Sequence, residues 1–92
     1  MVVYEDDLLL LVYTSGTTGQ PKGVMLNLRN VCTNVIDSAR GVELSDDTVN
    51  LNVCPLYHVA ATVFQTLTTY YLGGTSVTLD RFDPVTVLET IE

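Results

Sequence analysis

The spacing of hydrophobic residues changes several times along the chain, and the first part is typical of a β-hairpin. Leu8 to Thr14 is a nearly continuous apolar run that ends at a glycine-rich turn, which predicts a strand buried on both faces. Beyond the turn, Lys22 to Leu26 predicts a second short strand. Residues 1–26 are therefore expected to form a strand, a loop and a strand.

The next segment has the period of an amphipathic helix. From Leu28 to Val42, apolar residues recur at the three- and four-residue spacing that places them on one helical stripe. Asn27 fits the N-cap position, and Gly41 marks the expected end. The sequence predicts one helix within residues 27–42.

The second half of the chain alternates between strand and helix patterns. Val49 to Cys54 predicts a strand that alternates with Asn50 and Asn52 and is stopped by Pro55. Val59 to Leu72 has helical spacing despite its many threonines and valines, and two glycines close it. The pattern thus predicts a crossover helix behind the strand.

The C-terminal part repeats this order. Thr75 to Leu79 predicts another strand, and Asp83 and Pro84 predict the N-cap and the first turn of a last helix. Because helical crossovers join parallel strands, residues 48–92 are expected to be a parallel βαβα unit. The predicted fold class is α/β, within a single domain over residues 1–92.

Charge is unevenly distributed along this predicted domain. Hydrophobic residues make up 47% of the chain and charged residues 16%, against roughly 25% charged in an ordinary soluble domain. No charged side chain occurs between Thr48 and Leu79. A membrane segment needs about 18–20 nearly unbroken apolar residues, and polar residues such as Asn50, Asn52 and Gln65 interrupt this stretch. We therefore expect no membrane insertion, and a stretch that neighbouring segments of a larger protein cover.

The net charge of −7 and the few ionisable groups exclude further classes of function. With only four Lys and Arg residues, broad attraction to nucleic acid or anionic lipid is not expected. Glu5 and the two aspartates after it do not fit the basic start of a secretory signal. Cys32, Cys54 and the single His58 have no metal-ligand spacing. We expect the cysteines to be reduced and buried, in a cytoplasmic protein.

The segment YTSGTTGQPKGV, residues 13–24, carries the candidate chemistry. Its glycines permit close approach of backbone N–H groups to an anion, its hydroxyl groups are further donors, and Lys22 adds a positive charge. Together these groups suit a phosphate, although a solvated polar surface turn has the same composition. The Walker pattern does not fit, because Pro21 and Gly23 occupy its second glycine and its Ser/Thr positions.

Three segments together resemble the adenylate-forming enzymes, the superfamily that includes acyl-CoA synthetases and ligases. YTSGTTGQPKGV is similar to their phosphate-loop signature, and CPLYHVAA, residues 54–61, resembles their P-L-F-H-x-x-G element. The tail from Leu72 to Glu92 is similar to their G-G-x-x-V-x-x-x-x-F-D-P segment. The resemblance spans essentially the whole chain and implies an interior fragment of the large N-terminal domain of such an enzyme.

The resemblance also implies an activity and a set of site residues. Such enzymes activate a carboxylate with Mg-ATP to an acyl-adenylate and then transfer the acyl group to coenzyme A, with Mg²⁺ bound through the ATP phosphates. The residues that would bind the β- and γ-phosphates are Thr14, Ser15, Gly16, Thr17, Thr18, Gly19 and Lys22. Gln20 is at a variable position, whereas Pro21 and Gly23 would shape the turn.

Tyr57 and His58 are the expected substrate-pocket residues. A lone histidine on an apolar segment is more often a packed residue than a functional one, but the resemblance implies that His58 orients the reacting carboxylate and that Tyr57 forms a pocket wall. A general base is not required, because a carboxylate is already ionised at neutral pH. Whether the acid is fatty, aromatic or an amino acid stays open.

Two departures separate this chain from the family pattern. Leu28 occupies a position where the family usually has histidine, and a leucine cannot replace the hydrogen bonds of that ring. The family's Y-G-x-T-E element, its ribose-binding aspartate, its hinge and its C-terminal catalytic lysine have no counterpart in these residues. We therefore expect the 92 residues alone to be catalytically incompetent. The alternative is a non-catalytic module that associates with itself or with a partner through its apolar surface.

Overall fold

The computed structural model describes residues 2–17 and 19–92, and it begins with an antiparallel hairpin. Strand β1 (Leu8–Thr14) pairs with strand β2 (Lys22–Asn27), with Thr14 opposite Lys22 at the loop end. An irregularity between Leu8 and Leu10 shifts the register at the other end. The predicted strand, loop and strand are thus confirmed, with β2 one residue longer than expected.

Helix α1 (Leu28–Gly41) follows directly from the hairpin. Asn27 Oδ1 accepts a hydrogen bond from the Asn30 backbone N–H at 2.8 Å, and Asn30 Oδ1 accepts one from the Asn27 N–H at 3.2 Å. Two side chains therefore satisfy each other's backbone donors at the start of the helix. The predicted N-cap at Asn27 and the predicted end at Gly41 are both confirmed.

The second half of the chain contains the predicted parallel pair. Strand β3 (Val49–Asn52) pairs with strand β4 (Thr75–Thr78), with Val49 beside Thr75 and Asn52 beside Thr78. Both strands are shorter than the sequence indicated. Asn52 Oδ1 accepts a hydrogen bond from the Cys54 backbone N–H at 3.1 Å, which turns the chain out of the sheet before Cys54.

The crossover between these strands is not an ordinary α-helix. It begins with a π-helical segment (Ala60–Leu67, here the π-segment) and continues as a short helix α2 (Thr68–Tyr71). The Thr66 hydroxyl donates to the Ala61 carbonyl and the Thr68 hydroxyl to the Val63 carbonyl, so both reach five residues back. The helix predicted from Val59 to Leu72 is confirmed in place, but its wide winding was not predicted.

Helix α3 (Pro84–Ile91) closes the element order. The Asp83 carboxylate accepts hydrogen bonds from the Thr86 backbone N–H at 2.8 Å and from the Thr86 hydroxyl at 2.7 Å. The predicted cap at Asp83 and the proline in the first turn are confirmed. No residue of α3 is fully buried.

The hydrophobic core is small and lies where α1 meets the π-segment and the hairpin. Its buried members among the described residues are Val31, Val35 and Val63, against which Leu10, Leu26 and Leu67 pack. The exposed surface is 6898 Å², against about 5,300 Å² for a compact protein of this mass. The radius of gyration is 15.1 Å, against about 12 Å for a typical domain of this length. The chain therefore leaves much apolar surface uncovered.

Two expectations about burial are wrong. Leu9 and Leu11 of β1 are exposed rather than buried, because the hairpin has only one covered face, where Leu10 packs on the core. Cys32 is exposed and Cys54 is only partly buried. Cys32 lies at the edge of the α1 stripe, beside a groove that no described residue fills.

Candidate functional site

The loop from Ser15 to Pro21 connects β1 and β2. Gly16 and Gly19 both have left-handed backbone conformations, with φ of 63° and 79°. A Cβ atom on Gly16 would lie 2.5 Å from the Gln20 carbonyl oxygen, so the loop folds back on itself too closely for any side chain there. At Gly19 no described atom lies within 4 Å of such a Cβ. The two glycines thus serve different needs within one turn.

Lys22 lies at the exit of this loop, opposite Thr14 at its entrance. Its side chain is exposed. Among the residues that the structure describes, the ion pairs involve Arg29 with Glu5 and Asp6, and Arg40 with Asp37. Within that part of the chain, the Lys22 ammonium has no carboxylate within 4.0 Å, and its charge is available to an external anion.

Gly23 allows the hairpin to be closely packed next to Lys22. A Cβ atom there would lie 3.0 Å from Leu11 Cδ1 and 3.6 Å from Tyr13 Cε1. The absence of a side chain leaves room for the Leu11 side chain to pack against the β2 backbone. This observation fits the expected turn-shaping role of Gly23.

The His58 side chain is held by a hydrogen bond from a nearby backbone N–H group. Its Nδ1 atom accepts a hydrogen bond from the Ala60 N–H at 3.2 Å, and its carbonyl accepts from the Ala61 and Thr62 N–H groups. The ring therefore serves as an acceptor at the start of the π-segment. With Nδ1 as acceptor, the proton of a neutral ring is on Nε2, and this N–H is free to donate to a ligand.

The structure brings the beginning of the loop and the histidine segment together. A cleft of about 330 Å³ is lined by Thr14 and Ser15 on one side and by Tyr57 and His58 on the other. The remaining lining residues are Val12, Tyr13 and Val59. Tyr57 is 84% exposed and stands at the rim. Four residues that the sequence singled out for two different roles thus share one cavity.

The cleft continues along β1 into a second part. This part has a volume of about 270 Å³ and shares Val12, Tyr13, Tyr57, His58 and Val59 with the first. Its additional lining residues are Leu10, Leu11, Leu56 and Thr62. The combined cleft therefore has hydroxyl residues at the loop end and three leucines at the other end.

Other predicted site residues lie elsewhere. Gly16, Thr17, Gly19 and Lys22 belong to the tip and exit of the loop and do not line the cleft among the described residues. Thr18 lies outside the described residues. Sequence analysis did not assign Val12 and Tyr13 to the site, although Tyr13 begins the loop motif and Val12 precedes it.

The described residues do not form a metal centre of their own. Within residues 2–17 and 19–92, no group of three or more His, Cys, Asp or Glu side chains is placed to hold a metal ion. In the same part of the chain, every helix is too short or too polar to cross a membrane.

The structure places a glycine-rich loop beside a cleft lined by His58, on an α/β scaffold. This is the arrangement that the resemblance to adenylate-forming enzymes implies. The sequence matches the family described as AMP-binding enzyme over residues 2–92. The chain belongs to this family.

Curated relatives are CoA synthases and ligases. The chain is 41% identical over 87 residues to feruloyl-CoA synthase of an Amycolatopsis species, covering 95% of this chain and 18% of the relative. It is 38% identical over 88 residues to the putative acyl-CoA synthetase YngI of Bacillus subtilis, covering 96% of this chain and 16% of that protein. The chain thus spans less than a fifth of the length of these relatives.

Solved structures agree with the fold. ATP-bound MatB from Rhodopseudomonas palustris superimposes with a TM-score of 0.88 at 32% identity, over 96% of this chain and 18% of that one. The O-succinylbenzoate CoA synthetase MenE of Bacillus subtilis, in complex with AMP, gives a TM-score of 0.86 at 31% identity, over 97% and 23% of the two chains. The predicted α/β class is confirmed.

Proposed function

We propose that this chain supplies the ATP phosphate-binding loop and part of the acyl site of an AMP-forming acyl-CoA synthetase or ligase. The observation that carries the proposal is the shared cleft, which places Thr14 and Ser15 of the loop next to Tyr57 and His58. The relatives support the proposed reaction class, since their names describe CoA synthases and ligases.

The loop would bind the β- and γ-phosphates of ATP. Its proposed ligands are the backbone and hydroxyl groups of Thr14, Ser15, Gly16, Thr17, Thr18 and Gly19, together with the Lys22 ammonium. The left-handed glycines at 16 and 19 support this role, because glycine lets backbone N–H groups approach an anion closely. Lys22 would stabilise the charge that develops on the departing pyrophosphate.

His58 would hold the substrate carboxylate in position for attack on the α-phosphorus. Its Nε2–H is the free donor of the ring, and a carboxylate oxygen is a matching acceptor. The residue orients rather than deprotonates, since the acid is already ionised at neutral pH. The end of the cleft lined by Leu10, Leu56 and Tyr57 would accommodate the carbon skeleton of the acid.

Mg²⁺ would arrive with the ATP phosphates, because the described residues offer no acidic cluster to hold it. Bound to the phosphates, the ion would neutralise part of their negative charge. Similar structures support nucleotide use, since MatB was observed with ATP and MenE with ATP and magnesium. Coenzyme A as acyl acceptor follows from the names of the relatives, and a cytoplasmic location is part of the same proposal.

The 92 residues alone would not form an adenylate at a useful rate. The family elements for adenine and ribose binding, and the catalytic lysine, are not among these residues. Mixing the purified chain with Mg-ATP and a panel of fatty, aromatic and amino acids is expected to give no acyl-AMP by mass spectrometry. Detection of acyl-AMP would contradict this part of the proposal.

Calorimetric titration with pyrophosphate and with Mg-ATP tests the loop. Lys22→Ala is expected to weaken pyrophosphate binding by about 10- to 100-fold, since a hydrogen bond to a charged group contributes roughly 1.5–3 kcal/mol. Arg40→Ala is the matched control, because it removes the same charge from α1, where Arg40 is exposed and paired with Asp37. Equal effects of the two variants, or no heat with a folded wild-type chain, would refute the phosphate-binding role.

The alternative to an enzyme fragment is a non-catalytic module that associates with a second copy of itself through its exposed apolar surface. A groove of about 410 Å³ between α1 and α2 is lined by Val35, Ile36, Leu67, Tyr70 and Tyr71, among others. The surface in excess of a compact protein is about 1,600 Å², which exceeds the roughly 800 Å² per partner of a standard interface. Light scattering is expected to report a dimer if this alternative holds, and a monodisperse monomer would refute it.

A further inference from the structure

Asn52 is the most completely buried polar residue of the candidate site region, with 0% exposure. It is the last residue of β3, and its side chain makes two hydrogen bonds that lie outside the sheet. Oδ1 accepts from the Cys54 backbone N–H at 3.1 Å, and Nδ2 donates to the Thr66 hydroxyl at 3.3 Å. A buried amide with both ends paired holds its partners in place, since breaking either bond leaves a buried polar group unsatisfied.

The two partners of Asn52 lie at opposite ends of the segment that carries Tyr57 and His58. Cys54 is where this segment leaves the strand, and Thr66 lies in the π-segment that follows it. One side chain thus fixes both the exit from β3 and the helix to which the segment returns. The Thr62 hydroxyl adds a separate tie by donating to the Leu56 carbonyl.

Hydrogen bonds and the short backbone stretch of Ala60 and Ala61 together connect Asn52 to the His58 ring. The Thr66 hydroxyl accepts from Asn52 and donates to the Ala61 carbonyl at 2.8 Å. The Ala61 N–H donates to the His58 carbonyl at 3.1 Å, and the neighbouring Ala60 N–H donates to His58 Nδ1 at 3.2 Å. The His58 carbonyl also accepts from the Thr62 N–H, so two amides of the π-segment hold the backbone of His58.

We propose that Asn52 is a positioning residue for His58. Through Thr66 and the first turn of the π-segment, it holds the Ala60 N–H against Nδ1 and so keeps the ring proton on Nε2. The inference rests on the proposed role of His58 as an Nε2–H donor to the substrate carboxylate. It adds a residue from the interior that contacts neither the cleft nor, in the proposed reaction, any substrate.

Asn50 provides a matched comparison within the same strand. Its Nδ2 atom donates to the Thr69 hydroxyl at 3.0 Å and to the Gln65 carbonyl at 3.4 Å. It therefore ties β3 to the same crossover by the same chemistry, but farther from the His58 segment. A general contribution to stability predicts similar effects for the two asparagines, whereas positioning of His58 predicts an effect of Asn52 alone.

The test is nitrogen NMR of the histidine ring in the full chain, labelled with ¹⁵N-histidine. Because the chain contains a single histidine, the ring signals need no assignment. Long-range proton–nitrogen correlation, at a pH where the ring is neutral, is expected to show a protonated Nε2 and an unprotonated Nδ1. Asn52→Ala and Thr66→Val are expected to lose this single pattern to a mixture of tautomers, whereas Thr66→Ser and Asn50→Ala retain it.

The proposal is overturned if Asn52→Ala and Thr66→Val keep the wild-type ring pattern, or if Asn50→Ala disturbs it as much. If Asn52→Ala does not fold by circular dichroism, Thr66→Val decides the question, because valine retains the shape of threonine and removes only the hydroxyl. Failure of the proposed phosphate function appears separately, as the absence of Lys22-dependent pyrophosphate binding by the wild-type chain. The ring measurement uses no ligand and does not depend on that result.

Discussion

The two left-handed glycines of the loop allow a sharp prediction, because they share a backbone conformation and differ in the space around them. Gly16 and Gly19 have φ of 63° and 79°. A Cβ on Gly16 would approach the Gln20 carbonyl oxygen to 2.5 Å, whereas one on Gly19 would meet no described atom within 4 Å. Gly16→Ala and Gly19→Ala therefore form a matched pair.

The expected magnitudes follow from these two observations. Gly19→Ala costs only the left-handed conformation of an alanine, about 1–2 kcal/mol. Gly16→Ala carries the same cost and also a clash with a backbone oxygen, which adds about 1–3 kcal/mol because the backbone must shift. We expect Gly16→Ala to be the more destabilising by about 1–3 kcal/mol, all of it due to the fold-back of the loop on Gln20.

Hydrogen exchange of the hairpin amides is the appropriate measurement. The β1–β2 ladder reports directly on the loop that joins it, and a hairpin can open locally without global unfolding. Protection in this ladder is expected to fall by about 5- to 150-fold more in Gly16→Ala than in Gly19→Ala, since 1.4 kcal/mol is a factor of ten. Equal losses of protection would refute the loop geometry from which the magnitude was derived.

Two further predictions concern the core and the last helix. Val63→Ala should lower the free energy of unfolding by about 1.5–3 kcal/mol in urea titrations, because Val63 is only 2% exposed. The control Val85→Ala, at 62% exposure, should change it by less than about 0.5 kcal/mol. Similar values for the two variants would contradict the assigned core. Hydrogen bonds from the Thr86 backbone N–H and hydroxyl lower the pKa of Asp83 below its ordinary value of 3.8. The stability that this cap contributes is therefore present above that ordinary value and lost as the pH falls through the lowered one. Asp83→Asn keeps a capping oxygen and should remove this component of the acid titration of helicity by circular dichroism, and an unchanged titration would argue against the cap.

Local sequence signals predicted much of the fold. Helix α1 begins after its cap Asn27 and ends at Gly41, and α3 begins at Pro84 after its cap Asp83. These ends were predictable because capping residues act over only a few positions. The wide winding of the π-segment was not predictable from spacing alone. In this segment the Thr66 and Thr68 hydroxyls donate to carbonyls five residues back, and short apolar patterns do not separate that period from an ordinary helix.

The candidate site was predictable only in part, for a similar reason. The loop residues Gly16, Gly19 and Lys22 lie in one continuous motif with turn chemistry of its own. Ser15 and His58 are far apart in the sequence but line one cavity. Only the family resemblance, and no local sequence pattern, indicated that they would lie close together. Asn52 had no distinguishing signal, since an asparagine on a strand that alternates with polar residues resembles a solvent-facing position.

The exposure of the cysteines and of β1 was wrongly predicted because both depend on what covers the surface. An apolar run such as Leu8 to Val12 indicates burial only when a second layer is present. The hairpin has one covered face, and Leu9 and Leu11 lie on the open one.

The pairing pattern of the two small sheets also determines the order in which they can fold. The hairpin joins residues that are near in sequence, such as Thr14 and Lys22, and hairpins of this kind form in about 1–10 μs. The β3–β4 pair must first close the whole crossover between Asn52 and Thr75, and such long-range pairing is slower. The loop from Ser15 to Pro21 thus belongs to a unit that can form early in folding, before the β3–β4 pair and the crossover that carries His58 have assembled.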